Sequence, residues 1–178
     1  MFRRVRHRRI PGWAAFVAVP IFSALFTLFS SCDLQPSHIE TPPEVWKLAW
    51  DIAQVYLGME YELGEQDFPT PRGFDCSGLV VNVYYETAGY FGYSLPFTDA
   101  AVVNFYHEYT EPLDVPEKGD IIFMGAGEIS HIAIFEKKEA GQVWFIDAYS
   151  DSGYVQYRSC PEDSPKIKIF GRLLIEES

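Results

Sequence analysis

Arg72-Gly73-Phe74-Asp75-Cys76-Ser77-Gly78-Leu79-Val80-Val81-Asn82-Val83-Tyr84 reads as a turn that feeds a helix, with a cysteine in the helix's first turn. The run from Leu79 to Tyr84 is apolar at helical spacing. Asp75 suits the N-cap, where its carboxylate accepts backbone N–H bonds. Cys76 then sits where the positive end of the helix dipole favours a thiolate, and the thiolate is the nucleophilic form. Two plainer readings compete. A free cysteine is commonly a small buried hydrophobe, and Cys76 could also pair with Cys160 in a disulfide. The mechanistic use of a cysteine at a helix start favours a free Cys160, placed in the turn-rich run Ser159-Cys160-Pro161-Glu162-Asp163.

Working outward, Thr41-Pro42-Pro43-Glu44 has the form of a capping box with Pro42 in the first turn. Val45, Leu48, Ala49, Ile52 and Tyr56 follow at helical spacing, and Gly58 is a C-terminal stop. The cysteine helix is expected from Asp75 to Ala88, ending at Gly89. A short third helix is expected from about Thr98, with Ala101, Val102 and Phe105 on one face. After Gly119 the pattern changes to strands: 120–124, 131–136, 143–148, 154–157 and 167–175. Helices first and strands second predict an α+β fold, an antiparallel sheet with the cysteine helix packed on it.

The second of those strands opens on a histidine, in Ile129-Ser130-His131-Ile132-Ala133-Ile134. A histidine at a strand start is commonly a surface or satisfied core residue. Beside a capped cysteine it becomes a candidate general base and acid. The next strand ends Trp144-Phe145-Ile146-Asp147-Ala148. If the two strands are antiparallel neighbours, the start of one faces the end of the other, and Asp147 can orient His131. The alternative for Asp147 is an ordinary polar strand end.

Residues 1–31 contain five arginines and no acid, followed by an apolar stretch from Trp13 to Phe29 that closes on Ser30-Ser31-Cys32. This is the form of a secretory signal. Cys32 after two serines resembles a bacterial lipobox, with Phe29 where Leu is usual, and makes Cys32 the lipidated first residue of the mature chain. An uncleaved membrane anchor and plain cleavage remain as alternatives. Residues 32–40 then read as a tether and 41–178 as the domain. Without the leader the chain carries 9 basic and 25 acidic residues. That balance disfavours nucleic-acid binding, which needs a basic footprint. Cysteine and histidine are too few and too scattered for a zinc set, and no cofactor is implied.

Three blocks together carry a resemblance: Gly73-Phe74-Asp75-Cys76-Ser77-Gly78-Leu79-Val80, Pro116-Glu117-Lys118-Gly119-Asp120-Ile121-Ile122-Phe123, and Ser130-His131-Ile132-Ala133-Ile134. Their order and spacing resemble the NlpC/p60 family of cell-wall cysteine peptidases over almost all of residues 45–175. The resemblance implies a reduced papain-like fold and cleavage of peptidoglycan stem peptides between D-glutamate and a diamino acid; a papain-like amidase acting on a different amide, and a degenerate lipoprotein that holds muropeptide without cutting it, remain as alternatives. It implies Cys76 as nucleophile, His131 as base and Asp147 in the orienting position. Tyr61, in Tyr61-Glu62-Leu63-Gly64, would help hold the oxyanion together with backbone N–H groups at the helix start. Asp75, Ser77 and Ser130, the neighbours of the catalytic pair, are expected at the substrate. The partners implied are a stem peptide and, through lipid on Cys32, a membrane, for a monomer outside the cytoplasm. Three positions depart from the family pattern. Asp147 stands where His is usual, Glu65 where a second Gly is usual, and Phe97 of Leu95-Pro96-Phe97-Thr98 where a basic residue is usual.

Overall fold

The computed structural model of the protein describes residues 38–64 and 72–177. The leader, Cys32 and Glu65 lie outside the described residues. Among the described residues three helices, α1 (Pro43–Val55), α2 (Cys76–Tyr90) and α3 (Val102–Glu108), accompany ten strands. In chain order the strands are β1 (His38–Glu40), β2 (Glu60–Tyr61), β3 (Gly73–Phe74), β4 (Tyr93–Ser94), β5 (Thr110–Leu113), β6 (Ile121–Met124), β7 (His131–Glu139), β8 (Gln142–Tyr149), β9 (Tyr154–Pro161) and β10 (Ile167–Glu177). They form one sheet in the order β1-β10-β6-β7-β8-β9-β2-β3, with β4 and β5 also paired to β10. Every pairing is antiparallel except β2 with β3. The expected α+β layout is what is found.

The composition of α2 explains its place. Leu79, Val80, Val81, Val83, Tyr84 and Ala88 are all buried, so the helix is apolar nearly all round. Such a helix must be covered on more than one side. Here α1 covers one side with Val45, Ala49, Trp50 and Ala53, and the sheet covers another with Ile121, Phe123, Ile132, Ile134, Ile146 and Ala148. The opposite face of the same strands makes a second, smaller core from Ile122, Met124, Ala133, Phe135, Val143 and Phe145. Strands buried on both faces lose the apolar–polar alternation, which is why 121–124 reads as a continuous apolar run.

One turn locks these layers. Gly119 has φ +104°, and a Cβ there would stand 1.7 Å from the carbonyl oxygen of Trp46 on α1. The Tyr84 hydroxyl of α2 donates to the Gly119 carbonyl at 2.6 Å. The Lys118-Gly119-Asp120 motif is therefore structural. Glycine lets α1 come down on the turn, and Asp120 is held beneath it by Arg172.

Several expected boundaries change. Residues 38–40, expected in the tether, form β1 on the edge of β10, with Ile39 opposite Ile175. The capping box does not form. Pro42 is the N-cap without a side-chain bond, and Thr41 instead gives both its hydroxyl and its backbone N–H to the carbonyl of Leu173. The threonine is spent on tying the chain to β10, so no oxygen is left for the helix. The α2 helix runs through Gly89 to Tyr90, and the turn is made by Gly92 at φ +81°. The third helix starts at Val102, not near Thr98. Cys160, expected in a turn, lies inside β9, which continues past Tyr157 to Pro161. It is free, as is Cys76. Phe97 packs on Phe105 and Tyr109 at 5.0 and 4.5 Å between ring centroids, so the residue in the usual basic position has joined the core.

Candidate active site

Asp75 caps α2 as its sequence suggests. Oδ1 accepts the Gly78 N–H at 2.7 Å and the Ser77 hydroxyl at 2.9 Å, and Oδ2 accepts the Gly64 N–H at 3.0 Å. Asp75 and Ser77 are both buried. Their polar atoms, expected at the substrate, are thus spent on each other, on the helix start and on the end of the β2 segment. They fix Cys76 from behind. A cap of this kind stabilises a helix by about 1 kcal/mol. Ser130 differs: it is exposed, one residue before His131, with its backbone N–H bonded to the Met124 carbonyl.

Tyr61 is brought to the site by a close backbone approach. The β2 strand pairs with β3 so that Tyr61 lies opposite Phe74, two residues before the cysteine. A Cβ on Gly73 would come within 2.6 Å of the Glu60 carbonyl oxygen, so this contact needs glycine. Burial raises the Tyr61 pKa, and the nearby charges of Cys76 and Asp75 add to the rise. The phenol therefore keeps its proton, as a hydrogen-bond donor beside the thiol must.

His131 opens β7 and Asp147 lies near the end of β8. Ile134 faces Ile146, so His131 and Asp147 share one face as diagonal neighbours. His131 Nε2 bonds Asp147 Oδ2 at 2.6 Å. The Cys76 thiol is close enough to the ring to act on its charge. Burial works against a charge on His131. The bond to Asp147, and the charges of Asp147 and Cys76, outweigh it and raise the pKa to about 9. At neutral pH the ring therefore favours its protonated form, which can give a proton to a neighbouring group.

Sequence reasoning missed the group that completes this chain. Arg158 of β9 donates through Nε to Asp147 Oδ1 and Oδ2 at 2.9 and 3.0 Å, and through Nη2 to Oδ2. Asp147 has no exposure at all, so its charge would be costly without such a partner. The guanidinium lies 4.0 Å from the ring centroid of Tyr149, and the Tyr149 ring meets His131 edge-on at 5.9 Å. Arg158 faces Phe145 across the β8–β9 hairpin, on the face that carries Asp147. Ending that strand at Tyr157 leaves Arg158 out of reach. Extending it by four residues, with Tyr149 paired to Tyr154, would have found it.

Cys76, His131, Asp147 and Tyr61 thus come together, with Arg158 behind them. The set holds a thiol, an imidazole, a buried carboxylate and a phenol hydroxyl. This is the arrangement acyl transfer requires.

Residues 58–172 match the NlpC/P60 family. Among solved structures, a Staphylococcus aureus protein described as similar to lipoprotein, NLP/P60 family, is 25% identical with a TM-score of 0.52, over 79% of this chain and 44% of its own. The peptidoglycan hydrolase RipB from Mycobacterium tuberculosis is 21% identical with a TM-score of 0.52, over 74% of this chain and 67% of its own. NlpC2 from Trichomonas vaginalis is 21% identical with a TM-score of 0.54, over 75% of this chain and 49% of its own. This chain therefore spans less than half of the staphylococcal and trichomonad proteins and about two thirds of RipB. No curated protein matches it.

Proposed function

Because the chain belongs to the NlpC/P60 family, we propose that it is a cysteine hydrolase of the cell wall, cutting an amide in peptidoglycan stem peptides at the bond between D-glutamate and a diamino acid. One observation carries the chemistry: His131 stands between the Cys76 thiol and a buried Asp147 that it bonds at 2.6 Å.

In this reading the Cys76 thiolate attacks the amide carbonyl. The negative charge that forms on oxygen is met by the Tyr61 hydroxyl and by backbone N–H groups at the start of α2. The His131 imidazolium gives its proton to the departing amine, and a thioester remains on Cys76. Water then attacks the thioester while neutral His131 takes its proton, which restores the thiolate–imidazolium pair and releases the acid. Asp147 holds the ring in place and stabilises its charged form through both halves of the cycle. The Arg-rich leader and Ser31-Cys32 extend the reading to an extracytoplasmic enzyme tethered by lipid on Cys32, acting as a monomer.

The test is mass spectrometry of defined muropeptides incubated with the full chain and with Cys76→Ala. The expected product is a new amine on the diamino acid, formed by the first chain and not by the second. Muropeptide that binds and remains uncut by the native chain would make the protein a binding module.

A further inference from the structure

We propose that Arg158 is a positioning residue of this site, which fixes the direction of Asp147 and keeps their shared proton on His131. Asp147 then orients the ring only as one half of an Arg158–Asp147 unit. The inference rests on the hydrolase reading above and adds to it the group through which the orienter works.

Geometry carries the first half. Asp147 has no exposure, so both its oxygens need partners inside the protein. Nε of Arg158 reaches Oδ1 at 2.9 Å and Oδ2 at 3.0 Å, and Nη2 donates to Oδ2, the oxygen that meets His131 Nε2 at 2.6 Å. A planar guanidinium bonded in this way sets the plane of the carboxylate, and with it the direction in which Oδ2 faces the ring. Arg158 is itself held. Its guanidinium carbon lies 4.0 Å from the Tyr149 ring centroid and 5.0 Å from that of Phe145. Phe145, Asp147 and Tyr149 alternate along β8 and share one face, so three residues of one strand grip a single side chain of β9.

Charge carries the second half. A buried carboxylate that faces a protonated ring without an outside cation tends to take the ring's proton, because two neutral partners need no solvation. A cation held on the same carboxylate opposes that transfer. Few charged or titratable groups face this row. Tyr149 of β8, whose hydroxyl bonds Asp151, and Cys160 of β9 lie beside Arg158. Lys166 lines, with Arg158, His131 and Tyr149, a cavity of about 220 Å³, and Cys76 of α2 acts on the ring. Among the described residues, Arg158 is the one permanent cation within ion-pair distance of Asp147. The logic reverses for an imidazole in that place. A neutral imidazole that accepts from Arg158 on one nitrogen has only an N–H donor left on the other. That donor would face His131 Nε2 and hold the ring neutral. Arg158 thus supports a carboxylate at this position and opposes an imidazole.

The experiment compares the full native chain with Arg158→Met, Arg158→Lys, Asp147→His, and Asp147→His combined with Arg158→Met. Two quantities are measured: muropeptide turnover, and the rate at which iodoacetamide alkylates Cys76 of the folded protein. Mass spectrometry separates that alkylation from the one at Cys160, and it needs no substrate. Arg158→Met should lower kcat about 10²-fold and change KM by less than about threefold. Removing a cation makes every nearby proton harder to lose, so alkylation of Cys76 at pH 7 should slow about threefold to tenfold. Arg158→Lys keeps the charge without the planar fork, so it should restore the alkylation rate and only part of kcat. Added to Asp147→His, the same Arg158→Met change should raise kcat. That double variant leaves no buried charge unpaired, so it tests the unit even where Arg158→Met folds poorly. An unchanged alkylation rate in Arg158→Met, a change confined to KM, or a further loss of kcat in the double variant overturns the proposal and leaves the hydrolase standing. If the native chain cuts no muropeptide, the hydrolase reading falls, and alkylation alone decides: a slower rate in Arg158→Met supports the unit and an equal rate overturns it.

Discussion

Asp120 and Asp147 are the two carboxylates with no exposure among the described residues, and each is held by an arginine on another strand. Arg172 meets Asp120 as a fork, with Nε on Oδ1 and Nη2 on Oδ2, both at 2.9 Å. Arg158 meets Asp147 in much the same way. The remaining partner separates them. Asp120 accepts the backbone N–H of Glu117 at 2.7 Å, a donor that never titrates. Asp147 accepts from His131, a titratable ring near enough to Cys76 for each to act on the other's charge. Asp120 lies under the Gly119 turn that seats α1, while Asp147 stands where β8 ends and the cavity opens. A buried acid–arginine pair therefore says little about function by itself. What the acid's last lone pair holds decides whether the pair is a rivet or a lever.

The largest expected effect lies at the far end of the Asp147 chain. Cys76→Ala and His131→Ala should each bring hydrolysis of muropeptide to background, because one removes the nucleophile and the other the proton carrier. Thermal unfolding should change little for Cys76→Ala, whose side chain is small and partly exposed. A comparable loss of turnover in Arg172→Lys, at unchanged folded fraction, would dissolve the distinction between the two pairs.

Next comes Asp147 itself. Asp147→Ala should lower kcat about 10²–10⁴-fold, the range of base-orientation effects, and raise KM far less. Asp147→Asn keeps the shape and loses the charge, so it should also fall well below native. Asp147→His tests whether the family's usual residue works beside Arg158; partial activity is expected. Near-native kcat in Asp147→Ala would reduce the site to Cys76 and His131 and make Asp147 a second rivet.

Asp120→Asn reverses the pattern. It leaves Arg172, which is only 17% exposed, with just the longer contact to Glu40 at 3.8 Å as counter-charge. Breaking a buried pair costs about 3–5 kcal/mol. A large drop in the urea midpoint is expected, with kcat per folded molecule close to native. If kcat falls as far as in Asp147→Asn while the midpoint holds, Asp120 belongs to the chemistry after all.

The contrast also explains what the sequence could reveal. The Asp75 cap was legible because its partner Gly78 is three residues away. The His131–Asp147 contact was legible because a short hairpin joins the two strands, with Glu139 paired to Gln142. Local spacing fixed both. Thr41 misled for the opposite reason: Leu173, its partner, is 132 residues away, and that distant bond displaced the local cap. The β1 and β5 strands had no signal of their own. His38-Ile39-Glu40 and Thr110-Glu111-Pro112-Leu113 are extended because β10 offers them partners. Arg158 was hidden by a strand end drawn four residues early, although its acid was already in view.

The smallest expected effect is a pH dependence of stability, and it separates the pairs without touching turnover. His131 has a folded pKa of about 9 against an ordinary value of 6.5. A raised folded pKa means that the native state binds a proton the unfolded chain has released. The resulting stabilisation is fully present below pH 6.5 and is lost as pH rises through 9. At 1.36 kcal/mol per pKa unit, a rise of this size amounts to about 3 kcal/mol. Urea midpoints at pH 6 and pH 9.5 should therefore fall for the native chain by more than for His131→Gln. Asp147→Asn should flatten the slope too, because it removes the bond that contributes most to raising the pKa. Asp120→Asn, read at the same two pH values, should start from a lower midpoint and keep the native slope, since its arginine and its amide stay as they are across that range. Parallel slopes in the native chain and His131→Gln would mean that His131 is neutral in the resting protein. The Asp147 pair would then hold an uncharged ring, and its likeness to the Asp120 pair would be closer than the geometry implies.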